Sequence, residues 1–165
     1  MYLSRQRKAF SMITAIIVIV IMATVAMLVM NIAGKTVKET TAQYHREQAM
    51  LLSKSYTEYA VLSVMSNDRN GTNHCLRDID GQVKIDESSA VTVANGNGYR
   101  IRVRIAYIGE ASEVASCSNT RIFSNSVTTV KTPLSIIVDT YVEYKDPENT
   151  SGGWITYHKR TLQKI

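Results

Sequence analysis

The chain has 165 residues, 45% of them apolar and 20% charged, with 19 Lys and Arg against 14 Asp and Glu. One modest domain is the expectation at this length; the apolar share excludes a disordered chain, eight Gly and two Pro exclude collagen, and two Cys exclude a disulfide-dense scaffold. The mean hydropathy lies near zero, but that average conceals a very uneven distribution of the apolar residues.

Residues 9–34 are 26 consecutive uncharged residues, mostly Ile, Val, Met, Leu and Ala. As a helix at ~1.5 Å per residue they span ~39 Å, more than the ~30 Å hydrocarbon core of a bilayer, so they predict one tilted transmembrane helix. The Ile and Val run at 16–21 also suits a buried strand, but soluble strands seldom exceed ~10 residues. A cleaved secretory signal fits poorly: Ala23 and Ala26 are one residue too far apart for a small-x-small site, and the apolar run continues beyond them. Ser11, Thr14, Thr24 and Asn31 are tolerable in lipid where they find backbone or neighbouring partners. Arg5, Arg7 and Lys8 precede the segment without an acid, whereas Lys35, Lys38 and Glu39 follow it. The positive-inside bias therefore places the N-terminus in the cytoplasm and everything after residue 34 outside it. The formal charge is +5, and removal of the first nine residues with their three cations leaves +2. No concentrated basic block remains to argue for nucleic-acid binding.

Residues 35–66 contain no Pro or Gly, and apolar or large residues recur at Val37, Tyr44, Ala49, Leu51, Leu52, Tyr56, Tyr59 and Leu62. Spacings of three, four and seven predict an amphipathic continuation of the same helix, a rod over residues 10 to about 66, ~85 Å long at ~1.5 Å per residue. The heptad pattern is too irregular for a coiled-coil stalk. The sequence at 66–71, Ser-Asn-Asp-Arg-Asn-Gly, supplies the stop.

Residues 67–165 change to short alternating runs. At 99–107, Tyr99, Ile101, Val103, Ile105 and Tyr107 alternate with Arg100, Arg102 and Arg104, a strand with one buried face. Residues 134–145 alternate likewise, with Leu134, Ile136, Val138, Val142 and Tyr144 inward and Ser135, Asp139, Glu143 and Lys145 outward. A third strand is predicted over 154–162, after a loop at 146–153, and weaker strands at 83–85, 90–94 and 121–123. The fold class is α+β: a long N-terminal helix, transmembrane then amphipathic, packed on a small antiparallel sheet. Leu51, Leu52, Tyr59 and Leu62 are expected to cover Ile101, Val103, Ile136 and Val138. The outward arginine row is expected to pair with acids such as Asp139 or Glu143.

Outside the cytoplasm Cys75 and Cys117 are expected to form a disulfide, and closing so long a loop stabilises by ~4 kcal/mol on the chain-entropy model. Metal binding by His74, Cys75, Cys117 and His158 lacks any ligand spacing that would support it. Asp146, Glu148 and Asn149 offer oxygen ligands for calcium on one loop only, a weak signal. The chain has no G-x-S-x-G, no G-x-x-x-x-G-K and no H-E-x-x-H, so no enzyme, cofactor or metal is expected.

The basic leader, the run Lys8-Ala9-Phe10-Ser11-Met12-Ile13-Thr14, the apolar segment, the amphipathic helix and the small sheet-rich head together resemble type IV pilins and the pseudopilins of type II secretion. The resemblance is specific over about 25 N-terminal residues. It implies the divisions 1–9 leader, 10–34 transmembrane half, 35–66 amphipathic half and 67–165 extracytoplasmic head. It implies cleavage between Ala9 and Phe10 by a prepilin peptidase and methylation of Phe10, with Ala9 standing where the family usually has Gly. The fifth mature position, normally a Glu that pairs with the terminal ammonium of an adjacent subunit, is Thr14. Thr14 cannot make that ion pair, and the family's subunits without this Glu include minor ones placed at the filament tip.

By that resemblance the chain is expected to be a minor pilin or pseudopilin. It would be a single-pass inner-membrane protein with a periplasmic head, working with other pilin subunits, the peptidase, membrane lipid and an inner-membrane assembly platform. The alternative is an uncleaved, membrane-anchored extracytoplasmic adaptor. A tethered enzyme using His158, Asp139 and Arg102 would need those groups gathered in a cleft.

Overall fold

The computed structural model describes residues 4–69, 74–86, 92–117, 121–126, 134–146 and 149–165, with backbone only for 4–11. Helix α1 runs over Ser4–Ser66, and five strands follow: β1 (Asp78–Val83), β2 (Tyr99–Gly109), β3 (Ile122–Ser124), β4 (Leu134–Tyr144) and β5 (Ile155–Lys164). The chain divides into two compact units, Met1–Tyr44 and His45–Ile165.

The first unit is helical. Its large apolar side chains from Met12 to Ile32 are all at least half exposed. The helix is long and apolar enough to cross a membrane. Four of its threonines bond to the helix backbone: the Thr24 hydroxyl donates to the Ile21 carbonyl at 2.8 Å, and Thr36, Thr40 and Thr41 donate to carbonyls four residues back. Such bonds remove the cost of a bare hydroxyl in hydrocarbon.

The second unit is the last part of α1 on a sheet of order β1-β2-β4-β5, antiparallel throughout this path, with β3 added parallel to β2. β2 and β4 pair over eleven residues each, and β4 pairs with β5 over ten. Alternation puts Tyr99, Ile101, Val103, Ile105 and Tyr107 of β2, and Leu134, Ile136, Val138 and Val142 of β4, into the core. The Tyr107 hydroxyl donates to the Leu76 carbonyl at 2.6 Å, and burial pushes its pKa up to about 12. Cys75 and Cys117 are joined by a disulfide with their Cα atoms 4.8 Å apart. This bond ties the segment entering β1 to the turn after β2 and removes both thiolates from metal ligation. Gly98, at φ +120°, opens β2 where a Cβ would collide with the Val83 carbonyl oxygen, so the β1–β2 connection closes only around glycine.

Of the four residues of α1 expected to cover the sheet, Leu52 packs against the core and Leu51, Tyr59 and Leu62 do not. His45, Ala49, Ser53, Thr57, Ala60 and Val64 are buried, with Leu52 and Tyr56 partly so, whereas Leu51, Tyr59 and Leu62 are exposed at 57%, 57% and 65%. Both sets recur at helical spacing; side-chain size separates them. Small residues let the helix backbone approach the sheet, and the larger ones are displaced to the opposite side. Two hydroxyls in this tight contact are matched: Thr57 donates to the Ser53 carbonyl at 2.7 Å, which leaves the Thr140 hydroxyl, 3.0 Å away, to donate to Thr57, whereas the buried Ser53 hydroxyl finds no partner among the described residues. His45 Nδ1 lies 2.8 Å from the Tyr99 hydroxyl, and its ring stacks on Tyr144.

Two weak strands differ from expectation. β1 begins at Asp78 rather than near Val83, because Ile79, Gly81 and Val83 form its inward set while Asp78, Asp80 and Gln82 face out. In the 90–94 stretch, residues 90 and 91 lie outside the described residues, and Val93–Asn95 is a 3-10 turn. The strand expected at 121–123 is β3, at Ile122–Ser124.

The helix–sheet contact yields an asymmetric expectation for unfolding of the detergent-solubilised protein in urea. Ala60→Leu overpacks the contact and lowers stability by ~1–3 kcal/mol, whereas Leu62→Ser changes it by no more than ~0.5 kcal/mol.

Candidate functional site

The sequence-derived processing and assembly residues lie at the start of α1. The side chains of Ala9 and Phe10 lie outside the described residues, and Thr14 is on the exposed surface of the helix. Cys75 and Cys117 are bonded to each other. Of the candidate calcium loop, Glu148 lies outside the described residues, and Asn149 Oδ1 accepts a hydrogen bond from Ser151 Oγ at 3.0 Å.

Chemistry-bearing side chains gather on the sheet face opposite the helix. Alternation dictates this: every second residue of β1, β2, β4 and β5 points away from the core, and these are Asp78, Asp80, Arg100, Arg102, Arg104, Asp139, Tyr141, Glu143, His158 and Arg160. Glu143 accepts from Arg100 Nε at 2.7 Å and from Arg102 Nη2. Arg104 Nη1 donates to Asp80 at 2.6 Å, and Arg121 Nη2 to Asp78 at 2.7 Å. Arg160 grips Asp139 with two bonds of 2.7 and 2.9 Å, and His158 Nε2 donates to the same carboxylate at 2.8 Å. The His158 ring stacks on Tyr141 at 4.4 Å, and the Arg100 guanidinium lies 4.3 Å above the Trp154 ring.

The expected pairing of the arginine row with outward acids holds for Arg100 and Arg102 on Glu143, but Asp139 is taken by β5 instead. Glu143 faces outward and pairs with the arginines as expected, yet its side chain is only 5% exposed, because the two arginines close over it from β2. Of the three groups weighed for a tethered enzyme, His158 and Asp139 are brought together and Arg102 is drawn to Glu143. The two that meet sit on the open sheet face. Two hollows lie elsewhere, one of about 450 Å³ at β1 and β2 lined by Asp80, Gln82, Arg100 and Arg102, and one of about 550 Å³ beside the disulfide; both are open to solvent, and neither is lined by His158 or Asp139.

The Asp139 carboxyl is held below its usual range chiefly by the Arg160 hydrogen bonds, with His158 adding to the effect and partial burial opposing it. A second apolar surface escaped sequence reasoning. Leu51, Tyr59, Leu62 and Met65 line the side of α1 turned away from the sheet. The signal was present, since the helix carries more large apolar residues than one small sheet can cover.

No family model, curated protein or solved structure matches this chain.

Two expectations follow from the sheet-face network. Glu143→Gln lowers stability by ~1–2 kcal/mol, less than the ~3–5 kcal/mol of a fully buried pair because both arginines reach solvent; urea titration measures it. Asp139→Asn is destabilising at neutral pH. Because the folded carboxyl ionises below its unfolded value of ~3.9, that difference from the parent protein is fully present above pH ~3.9 and disappears as pH falls through the folded value.

Proposed function

We propose that the chain is a minor pilin or pseudopilin, a structural subunit of a type II secretion pseudopilus or a type IV pilus, held in the inner membrane and then assembled by helix bundling. The observation that carries the reading is one helix with an exposed, uncharged apolar half followed by a small disulfide-tied sheet unit, behind a basic leader that ends in Lys8-Ala9 and gives way to Phe10. The apolar half has one physical use in lipid and a second among like helices, where Ile, Val, Met and Ala exchange acyl chains for side-chain packing.

The membrane orientation, with the leader in the cytoplasm and the head in the periplasm, rests on Arg5, Arg7 and Lys8. An oxidised Cys75–Cys117 pair suits that compartment. Thr14 at the fifth mature position supports a minor, tip-proximal place, since a subunit with no neighbour above it has no terminal ammonium to match. The partners are other pilin subunits, the prepilin peptidase and the assembly platform. Work is supplied by a cytoplasmic ATPase acting through that platform.

The mass of the intact protein extracted from membranes tests this reading. Loss of the first nine residues with the gain of one methyl group is expected. An unprocessed chain supports the permanently anchored adaptor instead, and truncation near Ala26 indicates ordinary signal cleavage.

A further inference from the structure

The sheet ends in two unlike edges. β1 is six residues long, contains Gly81, and its Asp78 and Asp80 are held by Arg121 and Arg104. β5 is ten residues long and keeps unbroken register with β4. Among the described residues no strand pairs with its other side. A regular edge of this kind leaves about half of its backbone N–H and C=O groups directed away from the sheet.

The β5 sequence, Ile-Thr-Tyr-His-Lys-Arg-Thr-Leu-Gln-Lys, has no acid, no Pro and no Gly. His158 and Arg160 are bound to Asp139. Lys159 and Lys164 have no acidic partner among the described residues. Their register places Lys159 opposite Thr140, on the helix side of the sheet, and Lys164 opposite Ser135, on the open side, so positive charge flanks the edge on both faces. Leu162, 64% exposed, lies between them on the open face.

We propose that the β5 edge receives an extended acidic segment of a partner protein as an added strand. Main-chain hydrogen bonds to 155–164 supply the attachment, carboxylates at Lys159 and Lys164 supply the selection, and Leu162 receives an apolar side chain. A second copy of this chain is the poorer occupant. Two β5 edges oppose like charges, and the β1 edge offers carboxylates already bonded to arginines. The same lysines discourage neutral strands, which leaves charge as the discriminator. The inference concerns the second unit alone and stands apart from the reading of the chain as a filament subunit.

The test uses the full-length protein in detergent micelles and a fluorescein-labelled peptide, Glu-Thr-Val-Thr-Thr-Glu-Thr-Val-Thr-Thr, which as an antiparallel strand sets its two carboxylates opposite Lys164 and Lys159 on the two faces and a Val opposite Leu162, followed by anisotropy at low salt. Saturable binding is expected, weakened at least ~tenfold by the double change Lys159→Glu and Lys164→Glu, and abolished when the peptide is N-methylated throughout. Amide exchange over 155–164 of the unaltered protein is expected to slow on binding. Binding that survives N-methylation is ionic adhesion without strand addition and overturns the proposal. So does equal binding of the same peptide with Lys in place of both Glu residues, or no binding of the acidic one.

Discussion

The controlling constraint is the exposed apolar surface of the first unit. Fifteen large apolar side chains between Met12 and Ile32 are each at least half exposed. Burying the open half of each is worth ~1 kcal/mol, so the surface represents ~10–20 kcal/mol, as much as the whole ~5–15 kcal/mol stability of a small domain. A bilayer removes this surface from water, and a helix is the one open-ended element that keeps its backbone satisfied there. The β-branched run at 16–21, a poor helix former in water, costs little in a setting where no strand edge is tolerated.

The second unit solves a separate problem: one helix must cover a thin sheet and still present a usable outer side. Small residues at Ala49, Ser53 and Ala60 give a close contact, and the bulk of Leu51, Tyr59, Leu62 and Met65 is left on the far side. The disulfide, itself part of the core, restricts the unfolded chain between residues 75 and 117. On the other face of the sheet, acids and arginines satisfy one another across strands, so a face that no helix covers among the described residues is polar rather than apolar.

Much of this was legible in the residues. Alternation at 99–107 and over most of 134–145 marked the two central strands and their inward sets, because a central strand of this sheet buries one face; it breaks only at the end of β4, where Glu143 is buried as well. The length of the uncharged segment marked the helix. β1 was displaced because an edge strand with Asp78, Asp80 and Gly81 carries little hydrophobic signal and is fixed by its partner β2. Leu52 meets the core as its size suggests, but Leu51, Tyr59 and Leu62 do not, because the tight contact is lined mainly by small residues such as Ala49, Ser53 and Ala60. The burial of Glu143 depends on two arginines from a neighbouring strand, a tertiary fact with no local trace. Among the site residues, the disulfide was legible by compartment, and the division of acids between Arg100, Arg102 and Arg160 was not, since it turns on register.

The claim on which the account rests is that the apolar half of α1 resides in lipid rather than in water. Alkaline carbonate extraction of membranes from cells producing the chain measures this directly. The account predicts that the protein stays with the membrane pellet, and that replacing Ile17 and Val20 with Lys releases it. Recovery of the unaltered protein, apolar segment included, in the aqueous supernatant would contradict it.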